Sequence, residues 1–462
     1  MPILKVISPV DQSVYAERSL ASHADIERTL AKAVTAQPTW EATPLERRQE
    51  ILSRAIDGFI SRTHDISQEL TWQMGRPVTH SPGEMRGLAE RARYMSDIAP
   101  QALAPVQPSP KNGFSRFIRR EALGIVVVIA PWNYPYLTSV NVVVPALLAG
   151  NTVVLKHSHQ TPLCAERYAQ AFTDAGLPPG VFQYLHLNHD DTERLIHDAR
   201  VSFVSFTGSV EGGRRLRRVL ADRFIGLGLE LGGKDPAYVR HDADLKLAVD
   251  NLVDGSFFNA GQSCCGIERI YVHADLYNDF VEGFVEQTNK YILGNPLDPA
   301  TTLGPMVRAT AADFVREQTA EAVDQGARAL IDAQRFPADR PGTAYLMPQV
   351  LINVNHRMRV MMEESFGPVV GIMRVASDGE ALGLMNDSRY GLTTSIWTRD
   401  ADIALRLGEC LATGTVFMNR CDYLDPALAW TGVKDSGLGC SLSTLGYEQL
   451  TRPKSFHFKL PS

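Results

Sequence analysis

The strongest constraint on this chain is a repeated alternation that begins at residue 124. GIVVVIA is a short β-branched run between turn residues, as buried strands are. NTVVLK, VFQYLHL, VSFVSF and FIGLGLEL repeat it, and helix-like segments lie between them: TSVNVVVPALLAG, TPLCAERYAQAFTDAG, DDTERLIHDA and SVEGGRRLRRVLAD. Strand alternating with helix at this spacing predicts a parallel sheet covered on both faces. Such sheets bind ligands beyond the carboxyl ends of their strands. A second α/β texture starts near Gly233 and includes IERIYV, PVVGIMRV, TTSIWT and GTVFMN, with DLYNDFVEGFVEQTNKYI helical.

Before this region, residues 24–74 read as amphipathic helix opened by Asp and Thr and closed by Gly75 and Pro77, and QALAPVQPSPKN breaks the helical stretch. The tail TRPKSFHFKL alternates polar and apolar residues and, with FSRFIRREAL at 114–123, suits a small separate sheet. With 462 residues, the chain has room for about three lobes at roughly 150 residues each. A net charge of −6 gives no electrostatic reason to expect nucleic acid or an anionic membrane surface. The six cysteines show no CxxC spacing, no apolar run reaches membrane-spanning length, and the first residues do not read as a signal peptide. These features lead us to expect a cytoplasmic protein with no membrane partner.

Several motifs fail on inspection. GLELGGKD nearly matches the phosphate loop GxxxxGK[ST], but Asp235 stands where a metal-binding hydroxyl belongs. No GxGxxG follows a strand. The pairs His157 with His159 and His186 with His189 lack cysteine neighbours and read as solvent-facing turns, so no metal is expected. No GxSxG elbow is present.

Other features carry chemistry. FTGSVEGGR follows a strand and opens a helix, where Gly208 permits close approach and Ser209 can cap while donating to phosphate. Glu230 ends an apolar strand, either as a structural partner of Lys234 or as a general base with a pKa raised by burial. Asn133, in APWNYP, is either a turn residue or an amide aimed at an oxyanion. Cys264 and Cys265 are adjacent in FFNAGQSCCGIERI.

Together these pieces resemble the aldehyde dehydrogenase family: FFNAGQSC and LELGGK carry its two signatures, and PWNYP, FTGSVEGG, EESFGPV and NDSRYGL follow in the family's order. The resemblance covers nearly the whole chain. It implies an α/β fold with a Rossmann-like parallel-sheet cofactor domain (1–102 and 124–232), an α/β catalytic domain (233–440) and small oligomerisation strands (103–123 and 441–462). It further implies NAD(P)⁺-dependent oxidation of an aldehyde to an acid, with Cys264 as nucleophile, Glu230 as base and Asn133 in the oxyanion site. Lys156, His159, Gly208, Ser209, Gly213, Glu364, Phe366 and Trp132 would meet the cofactor, and the protein would be a homodimer or homotetramer.

Two stretches depart from the family pattern. Many members read KPSE-TP where this chain has KHSHQTP, so His159 replaces a glutamate that repels a 2′-phosphate and can itself donate to phosphate, and both NAD and NADP stay open. The C-terminal ALAWTGVKDSGLGCS also differs. Tyr134, Phe258, Cys265, Tyr423 and Trp430 are expected around the substrate. With Asp422 or Asp425 the aromatics suit a cationic aminoaldehyde. The competing functions are a cofactor-independent cysteine hydrolase, for which only His273 is near in sequence, and an inactive scaffold.

Overall fold

The structure, a computed structural model, describes residues 2–461. It opens with a hairpin absent from the sequence-based expectation, β1 (Ile3–Ile7) and β2 (Val14–Ser19). Four helices follow: α1 (His23–Ala42), α2 (Leu45–Ser61), α3 (Thr63–Met74) and α4 (Pro82–Ala102). Ser22, not an aspartate, caps α1, with Asp25 completing a capping box. Pro44 rather than Thr43 precedes α2. Gly75 ends α3 at φ 85°, a left-handed cap that glycine adopts without Cβ strain.

The first sheet is built from β4 (Ile125–Ile129), β5 (Thr152–Lys156), β6 (Phe182–Tyr184), β7 (Val201–Thr207) and β8 (Gly226–Glu230), all parallel. β3 (Phe114–Ala122) precedes them and stays outside this sheet. The crossovers are α5 (Pro135–Leu148), α6 (Leu163–Asp174), α7 (His189–His197) and α8 (Val210–Val219). Every residue of β4 and β5 is buried, which explains why both read as unbroken apolar runs.

The second sheet is parallel through β9 (Asp235–Val239), β10 (Ile267–His273), β12 (Gln349–Ile352), β13 (Val369–Val375), β14 (Thr393–Trp397) and β15 (Thr415–Met418). The two-residue β11 (Arg328–Ala329) runs antiparallel at its edge. Helix α9 (Leu245–Phe257) leads into the Cys264 turn. The chain then returns to the first sheet, where β16 (Gly437–Leu438) pairs antiparallel with β8. Finally β17 (Thr451–Lys459) pairs antiparallel with β3 along its whole length, from Thr451 opposite Ala122 to Lys459 opposite Phe114.

Candidate active site

The expected functional residues of the first lobe gather at the carboxyl ends of its strands, where parallel sheets expose loop backbone and helix N-termini. Trp132 and Asn133 follow β4, Lys156 ends β5, Gly208 and Ser209 follow β7, and Glu230 ends β8. A cavity of about 450 Å³ opens there, lined by Trp132, Lys156, His159, Gly208, Ser209 and Arg215 among others. Lys156 is 6% exposed and makes no ion pair among the described residues. Burial alone pulls its pKa down to about 8. Ser209 caps α8 by accepting the Gly212 N–H at 3.1 Å, so its own proton remains free to donate. Gly213 lies off the cavity. A Cβ there would stand 2.8 Å from Leu231 Cδ2, so this glycine lets α8 press against the strand end carrying Glu230.

His159 behaves differently from expectation. Its Nε2 lies 2.6 Å from the Leu187 carbonyl and must donate to it. Burial lowers its pKa, so the neutral ring presents Nδ1 as an acceptor and not a donor to phosphate. His157 is a second correction. It is 2% exposed rather than solvent-facing, and burial lowers its pKa to about 3. His186 is tied to Glu166 at 3.1 Å.

A second recess of about 240 Å³ shares Trp132, Val307 and Arg308 with the first and is lined by Gln262, Glu364 and Phe366. Trp132 and Phe366 meet edge-on with centroids 5.6 Å apart. Phe366 holds φ 49°, an unusual conformation for an aromatic residue. Glu268 explains it: its carboxylate accepts the amides of Ser365 at 2.8 Å and Phe366 at 2.9 Å while pairing with the buried Lys234. Lys234 is therefore committed to Glu268, and the structural reading of Glu230 as its partner does not hold. Glu364 accepts the Gly233 N–H at 2.9 Å, and burial beside Glu268 pushes its pKa up to about 8.

The turn that carries Cys264 separates this recess from a third cavity. Asn259, Ala260 and Gly261 take successive left-handed conformations at φ 54°, 55° and 69°. The reversal puts Gln262 against the recess and Ser263, Cys264 and Cys265 against a cavity of about 400 Å³. Gly233 fits the other side of the turn, since a Cβ there would lie 2.3 Å from the Cys264 carbonyl oxygen. Glu230 lines the same cavity as Cys264 and accepts hydrogen bonds from Ser441 and, at 3.3 Å, Thr207. Burial raises its pKa. Cys265 is buried, and its thiol pKa is raised well above normal, first by its hydrogen bond with Cys264 and then by burial. Its Sγ donates to Asp422 at 3.0 Å.

Asn133 sits behind the turn. Its Nδ2 donates to the Gln262 carbonyl at 3.2 Å, and its carbonyl accepts from Arg76 and Asn259. Arg76 also pairs with Glu84, which accepts the Tyr136 and Leu137 amides at 2.9 and 3.0 Å. This buried network holds α4, the start of α5 and the Cys264 turn together. Sequence reading missed it. The only sign was a pair of charges, Arg76 and Glu84, flanking a Pro/Gly-rich turn.

Tyr134, Phe258, Tyr423 and Trp430 all line the Cys264 cavity. The cation-binding box does not assemble from them. Arg76 covers the Tyr134 ring at 4.6 Å and Arg420 covers Tyr423 at 3.4 Å. Asp422 is held by Ser263 and Cys265, with its pKa raised by burial, and Asp425 is not among the lining residues. Among the described residues no histidine lines this cavity, so the histidine base that a cysteine hydrolase would need is not there, and His273 faces Asp275 at 3.5 Å instead.

The arrangement suits a dinucleotide. An unpaired buried cation and a capped helix N-terminus occupy one end of a groove that leads past a neutral-leaning carboxyl to the turn whose other side carries the Cys264 thiol. Comparisons with known proteins agree. A succinate-semialdehyde dehydrogenase [NADP(+)] of Deinococcus radiodurans is 35% identical over 93% of this chain and 90% of its own. The lactaldehyde dehydrogenase of Escherichia coli is 33% identical over 94% and 91%. The crystal structure of succinic semialdehyde dehydrogenase from Streptococcus pyogenes in complex with NADP+ superposes with a TM-score of 0.94 at 28% identity, covering 99% of this chain and 100% of the other. The model of the aldehyde dehydrogenase family matches residues 2–456, and the chain belongs to that family.

Proposed function

We propose that the chain oxidises an aldehyde to a carboxylic acid through a covalent adduct on Cys264. The supporting observation is the turn at 259–264, which places Gln262 on the cofactor side and Cys264 beside Glu230 on the other. As thiolate, Cys264 adds to the aldehyde carbon and the carbonyl oxygen becomes an oxyanion. The Cys264 amide, which makes no backbone hydrogen bond among the described residues, and the second amide proton of Asn133 are the donors we assign to that oxygen. NAD(P)⁺, held by the residues assigned below, would supply the hydride acceptor, so that loss of hydride from the thiohemiacetal carbon would leave a thioester on Cys264. Glu230 then takes a proton from water as that water attacks the thioester, releasing the acid and restoring the thiolate. Its burial-raised pKa makes it the stronger base.

Lys156, Ser209, Gly208 and the N-terminus of α8 are assigned to ribose and phosphate, with Gly213 supporting the turn, Glu364 to the nicotinamide ribose, and Trp132 with Phe366 to the ring. NADP⁺ is accepted, because no carboxylate stands at 159 and Lys156 keeps an uncompensated charge; His159 contributes by not repelling. Six free cysteines, one of them the nucleophile, suit the reducing cytosol. The β3–β17 sheet, open at its β17 edge, supports a homodimer or homotetramer.

The test is an aldehyde panel with NAD⁺ and NADP⁺ in parallel, followed by absorbance of the reduced cofactor. Reduction is expected in the native protein and is lost in Cys264→Ser, whereas Cys265→Ser retains much of it. Glu230→Gln should give one burst of reduced cofactor without steady turnover. Folded protein that reduces neither cofactor with any aldehyde defeats the proposal.

A further inference from the structure

One buried cation in the Cys264 cavity has no assigned role. Arg91, on α4, is 9% exposed and lines that cavity. Its Nη1 donates only to neutral acceptors, the Leu137 carbonyl at 2.7 Å and Asn141 Oδ1 at 3.3 Å. Nε and Nη2 make no hydrogen bond among the described residues, and Arg91 forms no ion pair there. The acids nearby are committed elsewhere: Glu84 to Arg76, Glu230 to Ser441 and Thr207, Asp422 to Ser263 and Cys265. Glu90 and Asp254 sit exposed at the mouth.

A second observation is independent of Arg91's charge. Asn141, on α5, is 1% exposed and lines the same cavity, and its Nδ2 is buried without any hydrogen-bond partner. The Arg91 Nη1 contact fixes the amide orientation, because a guanidinium can only donate and so requires Oδ1 toward it. The orphan group is therefore a donor. An unpaired guanidinium beside an unsatisfied amide N–H offers several donors and no acceptor, in a place where leaving a polar group unmade costs free energy. What completes such a set is a planar acceptor with negative charge, and arginine's fork matches a carboxylate.

We infer that Arg91 and Asn141 form an anion subsite that binds a carboxylate on the substrate, so that the preferred aldehydes are short oxo acids with a carboxylate remote from the reacting carbonyl. This rests on the aldehyde-oxidising reading and narrows its substrate class. It replaces the cationic aminoaldehyde, which an unpaired guanidinium would repel.

The experiment compares 4-oxobutanoate and 5-oxopentanoate with their methyl esters, using NADP⁺ and measuring kcat/KM for each. In the native protein the free acid is expected to exceed its ester at least tenfold for one of the two lengths, through KM. In Arg91→Met the acid-to-ester ratio should fall to near one, and Arg91→Lys should recover part of it. Because the ratio is taken within each enzyme, a loss common to both substrates cancels. The native ratio needs no variant and tests the subsite even where Arg91→Met fails to fold. Esters turned over as well as acids by native protein overturn the subsite while leaving the aldehyde-oxidising reading intact. An acid preference that survives in Arg91→Met also overturns it. Failure of all four compounds and of neutral aldehydes defeats the underlying reading instead.

Discussion

At the scale of single residues, burial decides which groups are ready to work. Lys156 shows this clearly, being a buried cation on the cavity wall that pairs with no carboxylate among the described residues. Its pKa of about 8 in the free protein means that the charge is present below that pH and lost above it. A ligand that needs the charge must therefore bind more weakly as pH rises. From pH 7 to pH 9 the charged fraction drops about tenfold, so the Kd for NADP⁺ measured by titration calorimetry should rise by up to about tenfold. Lys156→Arg keeps its charge across this range and should flatten the profile. An equally steep profile in that variant would move the titration to another group. For stability the sign is opposite. The folded pKa lies below the unfolded value of 10.5, so the desolvation cost of Lys156 acts in full below pH 8 and is relieved as pH rises toward 10.5.

At the scale of elements, the site depends on backbone approaches that only glycine permits. The turn after β8 places Gly232 against the Glu364 carboxylate and Gly233 against the Cys264 carbonyl, where added Cβ atoms would each stand 2.3 Å from an oxygen. The second oxygen belongs to backbone and cannot swing aside. Gly233→Ala should displace the Cys264 turn and lower kcat/KM by roughly a hundredfold, the scale of an ångström misplacement. Gly58→Ala, inside α2 with nothing within 4 Å, should leave kcat/KM unchanged and so serves as control. Native-like activity in Gly233→Ala would show that the turn tolerates the shift.

Much of this element-level order was readable in the chain. The strands of the first sheet announce themselves as apolar runs, and the motifs fall at their carboxyl ends. Helix α4 was less legible, because GEMRGLAERARYMSDIAPQA carries an arginine at 91 on what becomes its buried face. The anion subsite was hidden for the same reason. Arg91 and Asn141 are distant in sequence and meet only when α4 packs on α5. The engagement of His159 with Leu187 was equally invisible, since it depends on a loop from another strand. β1 and β2 were missed because their alternation is short and mostly exposed.

At the scale of the whole molecule, the β3–β17 pair stands out. Two strands alone are marginal in water, yet this ribbon runs nine residues on each side. Its one face stacks Phe117 on Phe456 at 4.6 Å with Phe458 edge-on to both, and Phe458 is 52% exposed. Arg119 and Lys454 lie over Phe456, at 4.8 and 5.8 Å. Among the described residues the outer edge of β17 joins no other strand, whereas β3 is bridged on its outer edge at Ile118 by Val106. An aromatic face beside an open strand edge is stabilised when a further surface covers it. A second copy of the chain is the partner we assign to it. Light scattering after size exclusion should give a dimer or tetramer mass for the native protein. Phe458→Glu, placing charge in the centre of the aromatic face, should shift that mass downward while the far-ultraviolet circular dichroism stays unchanged. Phe458 is not among the residues lining the Cys264 cavity, so any fall in turnover that accompanies dissociation would show that assembly, and not the side chain itself, supports the site. A native protein that elutes as a monomer at micromolar concentration would remove the assignment altogether.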